Sequence, residues 1–81
     1  MKDLLAYLTE NILGKKDFAI EEEIDADQYN LKILAESEDL GIIIGKGGQT
    51  IKAIQTLVRV RGRLENKNVN VFVEEKKQPL N

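Results

Sequence analysis

Residues 40–54 read LGIIIGKGGQTIKAI, and this segment decides how the rest of the chain is interpreted. An apolar run ends in the loop Gly45-Lys46-Gly47-Gly48, and apolar residues at helical spacing follow at once. Three glycines leave the backbone uncovered, so another chain can approach it closely. Free amide groups and the positive dipole at the start of the following helix suit a phosphate. The sequence therefore predicts a phosphate-binding loop whose one side chain is that of Lys46.

Two nucleotide-binding motifs are the alternatives for such a loop, and both fail. A P-loop requires Gly, four residues and then Gly-Lys-Ser/Thr, but only three residues separate Gly41 from Gly45. Gly47 also stands where the metal-binding hydroxyl must follow the lysine. The dinucleotide fingerprint GxGxxG lacks its third glycine, because that position is Thr50. A nucleotide enzyme is therefore not supported.

The remaining interpretation is a GxxG loop between two short helices, which resembles the KH domain of RNA-binding proteins. The signature IIIGKGGQTIKAI spans residues 42–54, with Ile43-Ile44 before the loop and Ile51 and Ile54 after it. In size and layout the chain resembles the small bacterial single-KH proteins of the KhpA/YlqC type. The tetrad GxxG is a weak signal alone and a strong one within this flanking pattern.

Apolar periodicity predicts the order helix, strand, strand, helix, helix, strand. The helices are expected over residues 2–13, from about Ser37 to the loop, and over 49–60. The strands are expected over residues 18–25 and 28–36 and around Val69, Val71 and Val73. This order matches the type II KH arrangement. The resemblance therefore implies an α+β fold in which a three-stranded sheet packs against three helices, with one KH domain over 1–75 and a polar tail over 76–81.

Some local features are predicted from residue type. Ser37 and Asp39 are expected to cap the helix before the loop. Gly62 is expected in the loop after the long helix. That helix is expected to bury Leu57 together with Ile51, Ile54 and Val58. The first strand is expected at an edge of the sheet, because Glu22 breaks its alternation.

Charge is divided between the two halves of the chain. Residues 1–40 hold 11 acids and 4 bases, which gives −7, whereas residues 41–81 hold 3 acids and 8 bases, which gives +5. The sum is the net charge of −2. From Gly45 to Arg63 there are five bases and no acid. The second half can therefore attract phosphate, although a merely solvated surface is an equal alternative on this observation alone.

Composition excludes several classes of protein. With 81 residues the chain is one small domain. It has no cysteine and no histidine, so it offers no disulfide, no thiolate zinc site and no histidine base. No apolar stretch approaches the ~20 residues of a membrane span, and the N-terminus does not read as a secretory signal. We expect a cytoplasmic protein that is not an enzyme and has no catalytic residue, metal or cofactor.

The resemblance implies that unpaired RNA lies in a groove beside the loop, with about four nucleotides clamped. For one of Ile43 and Ile44, a place in the core is as good an alternative as an RNA contact. Ile51 and Ile54 are assigned to the core. For Arg59, a solvated position on the helix surface is an almost equal alternative to an RNA contact. The expected RNA-contacting residues are Ile43, Ile44, Gly45, Lys46, Gly47, Gly48, Gln49, Thr50, Lys52 and Arg59.

The resemblance also bears on partners and biology. It implies a homodimer, or a heterodimer with a larger KH protein of the Jag/EloR type, and a role in post-transcriptional control or as an RNA chaperone, connected in some bacteria to cell shape. No membrane partner and no small-molecule substrate is expected. The alternative function is a protein–protein adaptor on a KH fold.

Overall fold

The computed structural model describes residues 1–76 and confirms the predicted order of elements. Its elements are α1 (Lys2–Leu13), β1 (Phe18–Asp25), β2 (Gln28–Ala35), α2 (Ser37–Ile44), α3 (Gln49–Leu64) and β3 (Asn68–Glu75). The fold is α+β, as a type II KH order requires. Of the predicted tail at 76–81, residues 77–81 lie outside the described residues, whereas the Lys76 N–H donates to the Ala35 carbonyl at 2.9 Å.

The sheet has the order β1-β2-β3, with β1 antiparallel and β3 parallel to the central strand. The predicted edge position of β1 is confirmed. Pairing of Ile20 with Ile33 and of Ile33 with Val73 places these side chains on one face of the sheet. That face meets the helices, and β2 is its most buried strand, because Leu31, Ile33 and Ala35 have no exposed surface.

The core is built where the three helices meet this face. Each helix contributes at least one fully or almost fully buried apolar side chain, from Leu5 in α1, Ile43 in α2, and Ile54 and Val58 in α3. Burial of these side chains stabilises the domain by about 1.5–3 kcal/mol each. The packing holds α2 and α3 at fixed positions on the sheet, and so fixes the loop between them.

Gly62 lies inside α3 and is buried, so its predicted place in an exit loop is wrong. A Cβ atom at this position would lie 2.5 Å from Val69 Cγ2 and 3.0 Å from the Lys67 carbonyl oxygen. Glycine disfavours a helix interior by about 1 kcal/mol relative to alanine. Here it permits α3 to touch β3, and the helix therefore continues to Leu64 rather than ending at residue 60.

Two other local predictions are wrong. Neither Ser37 nor Asp39 caps α2, because Glu36 occupies the cap position and makes no side-chain cap hydrogen bond. Asp39 Oδ1 instead lies 3.1 Å from Lys15 Nζ, and this hydrogen bond raises the pKa of Lys15. The pair joins α2 to the segment after α1. Leu57 was expected in the core but is 53 % exposed.

Within residues 1–76, no helix combines the length and the apolar character that a membrane crossing requires.

Replacing Gly62 with alanine tests the close contact between α3 and β3. Because the added methyl group overlaps Val69 and the Lys67 backbone, we expect Gly62→Ala to lower the free energy of unfolding by about 1–3 kcal/mol. Gly41→Ala in α2 is the matched control, since nothing lies within 4 Å of its Cβ position. Urea denaturation should find this control unchanged or up to about 1 kcal/mol more stable. Equal effects at the two sites would contradict the packing role of Gly62.

Candidate nucleic-acid interface

The loop Gly45–Gly48 begins with a backbone conformation that only glycine adopts readily. Gly45 has φ 76° and ψ 173°, a region essentially restricted to glycine. A Cβ atom there would overlap the Thr50 hydroxyl and lie 2.7 Å from Thr50 Cβ. Gly45 therefore serves two purposes at once, since it ends α2 and allows α3 to begin against it.

The next two glycines turn the chain into α3. Gly47 has φ 64° and ψ 18°, and Gly48 has φ 77° and ψ 14°, so both are left-handed. The Gly48 N–H donates to the Gly45 carbonyl at 3.1 Å, which closes the turn. Nothing lies within 4 Å of the Cβ positions of Gly47 and Gly48. The outer side of the loop is therefore open to a ligand.

The turn contains two backbone N–H groups that take no part in its own hydrogen bonding. Among the backbone hydrogen bonds outside helices and strands in residues 1–76, neither Lys46 nor Gly47 is a donor. The first turn of α3 has no acidic residue and no side-chain cap, so its positive end is not neutralised. The Lys46 side chain is exposed at the same place. The loop thus combines open amide groups, a helix dipole and one ammonium group, which suits an anion.

The two isoleucines before the loop have different environments. Ile43 has no exposed surface and belongs to the core, which is the alternative role that the sequence left open for one of the pair. Consecutive residues of a helix point about 100° apart, so both cannot face the sheet. Ile44 is half-buried and Ile42 is 51 % exposed. Ile44 therefore keeps its candidate role as an apolar contact.

The other predicted contact residues lie at or after the loop. Gly45, Gly48 and Thr50 are half-buried, and Lys46, Gly47 and Gln49 are exposed around the turn. Lys52 is exposed one turn into α3. Arg59 is also exposed, but it lies 11 residues beyond Gly48, which is about 16 Å along the helix. The predicted residues therefore form a loop cluster and, farther along α3, a separate basic position.

Helix α3 presents three different faces. The first is buried against the sheet and contains Ile54, Val58 and Gly62. The second, called the basic face here, contains Lys52, Thr56, Arg59 and Arg63. The third, called the apolar stripe, contains Ala53, Leu57, Val60 and Leu64, all of them exposed. At 100° per residue the basic face and the apolar stripe lie about 100° apart, so each can be used without covering the other.

A basic cavity lies where the far end of α3 meets the start of β3. Its volume is about 360 Å³. Next to it, Gln55 Nε2 donates to the Val71 carbonyl at 3.0 Å and joins α3 to the open edge of β3. The residues that line the cavity are Gln28, Arg59, Arg63, Lys67, Asn68, Val69 and Asn70.

Sequence reasoning missed Arg63 and Lys67 at this cavity. The spacing of residues 52, 56, 59 and 63 is helical and could have grouped them, but the predicted helix ended at residue 60. Lys67 Nζ lies 5.0 Å from the centre of the Tyr29 ring. The Tyr29 side chain, and then the Glu65 carboxylate, raise the pKa of Lys67 above its ordinary value.

Comparison with known proteins gives a consistent result. The sequence profile of the family described as "KhpA/KhpB, KH domain" matches residues 2–73. The RNA-binding protein KhpA of Clostridium perfringens is 33 % identical over 74 residues, which are 90 % of this chain and 99 % of that protein. The RNA-binding protein KhpA of Chlamydia trachomatis is 33 % identical over 78 residues, which are 95 % of this chain and 100 % of that protein.

A solved structure of another protein shares the fold. The chain aligns with a crystal structure of Aquifex aeolicus Era bound to GDP and aluminium fluoride, with a TM-score of 0.59 and 25 % identity. The alignment covers 96 % of this chain but only 29 % of the Era chain. The likeness therefore concerns one part of that larger protein.

Substitution of Gly45 tests the geometry of the loop. Because alanine at φ 76° and ψ 173° is strained and overlaps Thr50, we expect Gly45→Ala to lower the free energy of unfolding by about 1–3 kcal/mol. Gly47→Asn is the matched control, since asparagine tolerates the left-handed conformation and meets no neighbour. Thermal and urea denaturation measure both variants. A Gly45→Ala protein as stable as the Gly47→Asn protein would contradict this geometry.

Proposed function

Because the chain belongs to the KhpA/KhpB family of KH domains, we propose that it binds short unpaired RNA beside the loop Gly45–Gly48. The observation that carries the proposal is the open loop itself. The amide groups of Lys46 and Gly47 donate none of the hydrogen bonds that close the turn, and they lie at the uncapped, acid-free start of α3. A KH loop of this kind clamps the backbone of about four nucleotides.

Each part of the loop has a distinct role in this proposal. The amide groups and Lys46 hold phosphates, because both supply positive charge or hydrogen-bond donors to an anion. The absence of side chains at Gly47 and Gly48 lets the RNA backbone approach closely. Gln49 and Thr50 offer polar groups at the first turn of α3, and Ile44 offers an apolar contact to a base. Lys52 continues the phosphate path along the basic face.

The same features argue against the competing functions. The loop lacks the hydroxyl after the lysine that a P-loop uses to hold a metal ion, so we propose that the protein is not an enzyme. An adaptor that does not bind RNA has no need for an exposed Lys46 beside the open outer side of Gly47 and Gly48. We further propose that the protein acts in the cytoplasm as a post-transcriptional regulator or RNA chaperone, with an effect on cell shape as one outcome.

We propose that two copies pair through the apolar stripe of α3. The exposed fractions of Leu57, Val60 and Leu64 are 53 %, 50 % and 77 %. With Ala53, these residues alternate in steps of four and three, the spacing by which two helices pack side by side. Two copies give two RNA grooves, which raises avidity above that of a four-nucleotide site. A larger KH protein of the Jag/EloR type offering a similar helix is the alternative partner.

Reversal of charge in the loop tests RNA binding. The variant Lys46→Asp with Gly47→Asp places two carboxylates against the phosphate position, and we expect affinity for single-stranded RNA to fall at least about a hundredfold. Fluorescence anisotropy with a labelled oligonucleotide measures the affinity.

The matched control is Lys46→Asn with Gly47→Asn, which has the same shape without the negative charges. We expect this control to bind less tightly than wild type but far better than the aspartate variant. Thermal melting should show that both proteins stay folded, since both positions are exposed. Unchanged RNA affinity in the folded aspartate variant would place the site elsewhere.

Competition distinguishes an unpaired-RNA site from a duplex or nucleotide site. Because the clamp holds the backbone of unpaired nucleotides, we expect a perfect duplex of the same sequence to compete poorly with the single strand. ATP, GTP and NAD should neither displace the RNA nor turn over. A preference for duplex would contradict the groove, and displacement of RNA by micromolar ATP would support a nucleotide-binding protein instead.

Oligomeric state tests the apolar stripe. We expect sedimentation to find wild type as a dimer and Leu57→Glu with Leu64→Glu as a monomer, because four buried carboxylates in a dimer lack partners. The matched control is Phe72→Glu, since Phe72 is 51 % exposed on the face of the sheet opposite the helices. If only the Phe72→Glu protein dissociates, the dimer interface lies on that face of the sheet instead. A monomeric wild type that binds a Jag/EloR-type protein through the stripe would favour the heterodimer.

A further inference from the structure

We propose that the cavity bounded by Arg59, Arg63 and Lys67 is a second phosphate subsite, which holds the backbone of the same RNA strand beyond the nucleotides clamped at the loop. This inference rests on the proposed function, because it extends the path of an RNA strand that the loop must first bind. In this proposal the C-terminal end of α3 contacts the RNA backbone, so the protein holds a longer segment of the RNA.

The charges around the cavity support an anion. Three of its lining residues are cationic and none is acidic. Within residues 1–76, Arg59 and Arg63 take part in no ion pair, whereas Arg61 Nε lies 2.7 Å from Glu65 Oε2. Lys67 Nζ lies 3.7 Å from Glu65 Oε1, so that carboxylate is shared between two cations. The two free guanidinium groups are therefore the main attraction for a phosphate.

The position of the cavity fits a strand that leaves the loop. Lys52, Arg59 and Arg63 share the basic face of α3, and Arg63 lies 15 residues beyond Gly48, which is about 22 Å along the helix. The Gln55 side chain spans from α3 to the edge of β3 between these positions. A strand clamped at the loop that follows this face thus reaches the cavity without crossing the apolar stripe.

The residues that line the cavity favour contact with the RNA backbone over contact with the RNA bases. Arginine presents a planar group whose donors match two phosphate oxygens. The side-chain amides of Gln28 and Asn68 add donors for phosphate or sugar, whereas the Asn70 amide already donates to Asn30 Oδ1 at 3.2 Å. We therefore expect this subsite to add affinity and salt dependence with little preference for sequence.

A larger groove elsewhere in the described part of the chain has the opposite character. It has a volume of about 780 Å³, and its lining includes Glu21, Glu22 and Glu23 on the edge strand β1. Three carboxylates repel RNA, although Lys2 and Lys32 also line this groove. The cavity at the end of α3 is thus the better candidate for a continuing strand.

Two RNA lengths and two matched variants test the subsite. Affinities are measured for single-stranded oligonucleotides of about four and about ten nucleotides, using wild type, Arg63→Gln and Arg61→Gln. The two variants remove one charge each from exposed positions of the same helix. We expect Arg63→Gln to weaken binding of the longer RNA about tenfold and to reduce its salt slope by about 0.7. We expect it to leave the shorter RNA unchanged, and we expect Arg61→Gln to have little effect on either.

The outcomes separate this inference from the proposed function. Wild type that binds neither RNA would defeat the proposed function, whereas wild type that binds both lengths equally would overturn only the subsite. Equal losses in Arg63→Gln and Arg61→Gln would also overturn it, because net charge would then explain both. Displacement of the longer RNA by micromolar 5′-AMP would assign the cavity to free nucleotide. Lys67→Gln, expected to act like Arg63→Gln, keeps the test available if one variant fails to fold.

Discussion

The contact between α3 and β3 at Gly62 is the constraint on which the rest of the structure depends. A side chain at this position would overlap Val69 and the Lys67 backbone, so only glycine lets the helix lie directly against the strand. That contact fixes which face of α3 is buried. The basic face and the apolar stripe are then exposed in defined directions, about 100° apart. One helix therefore has two separate surfaces, and the proposed RNA contact and the proposed pairing of two copies use different ones.

The loop depends on the same placement. Helices α2 and α3 are held on the sheet by Ile43, Ile54 and Val58, and Gly45 makes the connection between them in a conformation that other residues avoid. The open amide groups at the start of α3 are a consequence of this short connection. Charge acts over a longer range, because Glu21, Glu22 and Glu23 on β1 repel an RNA strand, whereas the basic face of α3 attracts one.

The fold could be predicted from the sequence because its signals are local. Alternating apolar residues predicted the strands, and the GxxG pattern predicted the turn between α2 and α3. The wrong predictions concern residues whose position depends on tertiary contacts. Gly62 was placed in a loop because glycine is common there, and only the contact with Val69 explains its place in a helix.

The candidate site was predicted less completely than the fold. The loop residues follow from their order in the chain, but the burial of Ile43 depends on which side of α2 meets the sheet. Arg63 and Lys67 were missed because the predicted helix ended too early and because their cavity requires Asn68 and Gln28 from two strands. Asp39 was expected to cap α2, but it pairs with Lys15, which lies in the loop between α1 and β1.

The most direct test of the central claim is a titration of isotopically labelled protein with single-stranded RNA, followed by the chemical shifts of the backbone amides. The largest changes are expected at Lys46, Gly47 and Gln49, with smaller changes along the basic face of α3. The strand β1 should be unaffected. Changes concentrated around Phe72 on the outer face of the sheet, with none in the loop, would place the RNA site on that face and contradict binding at the loop.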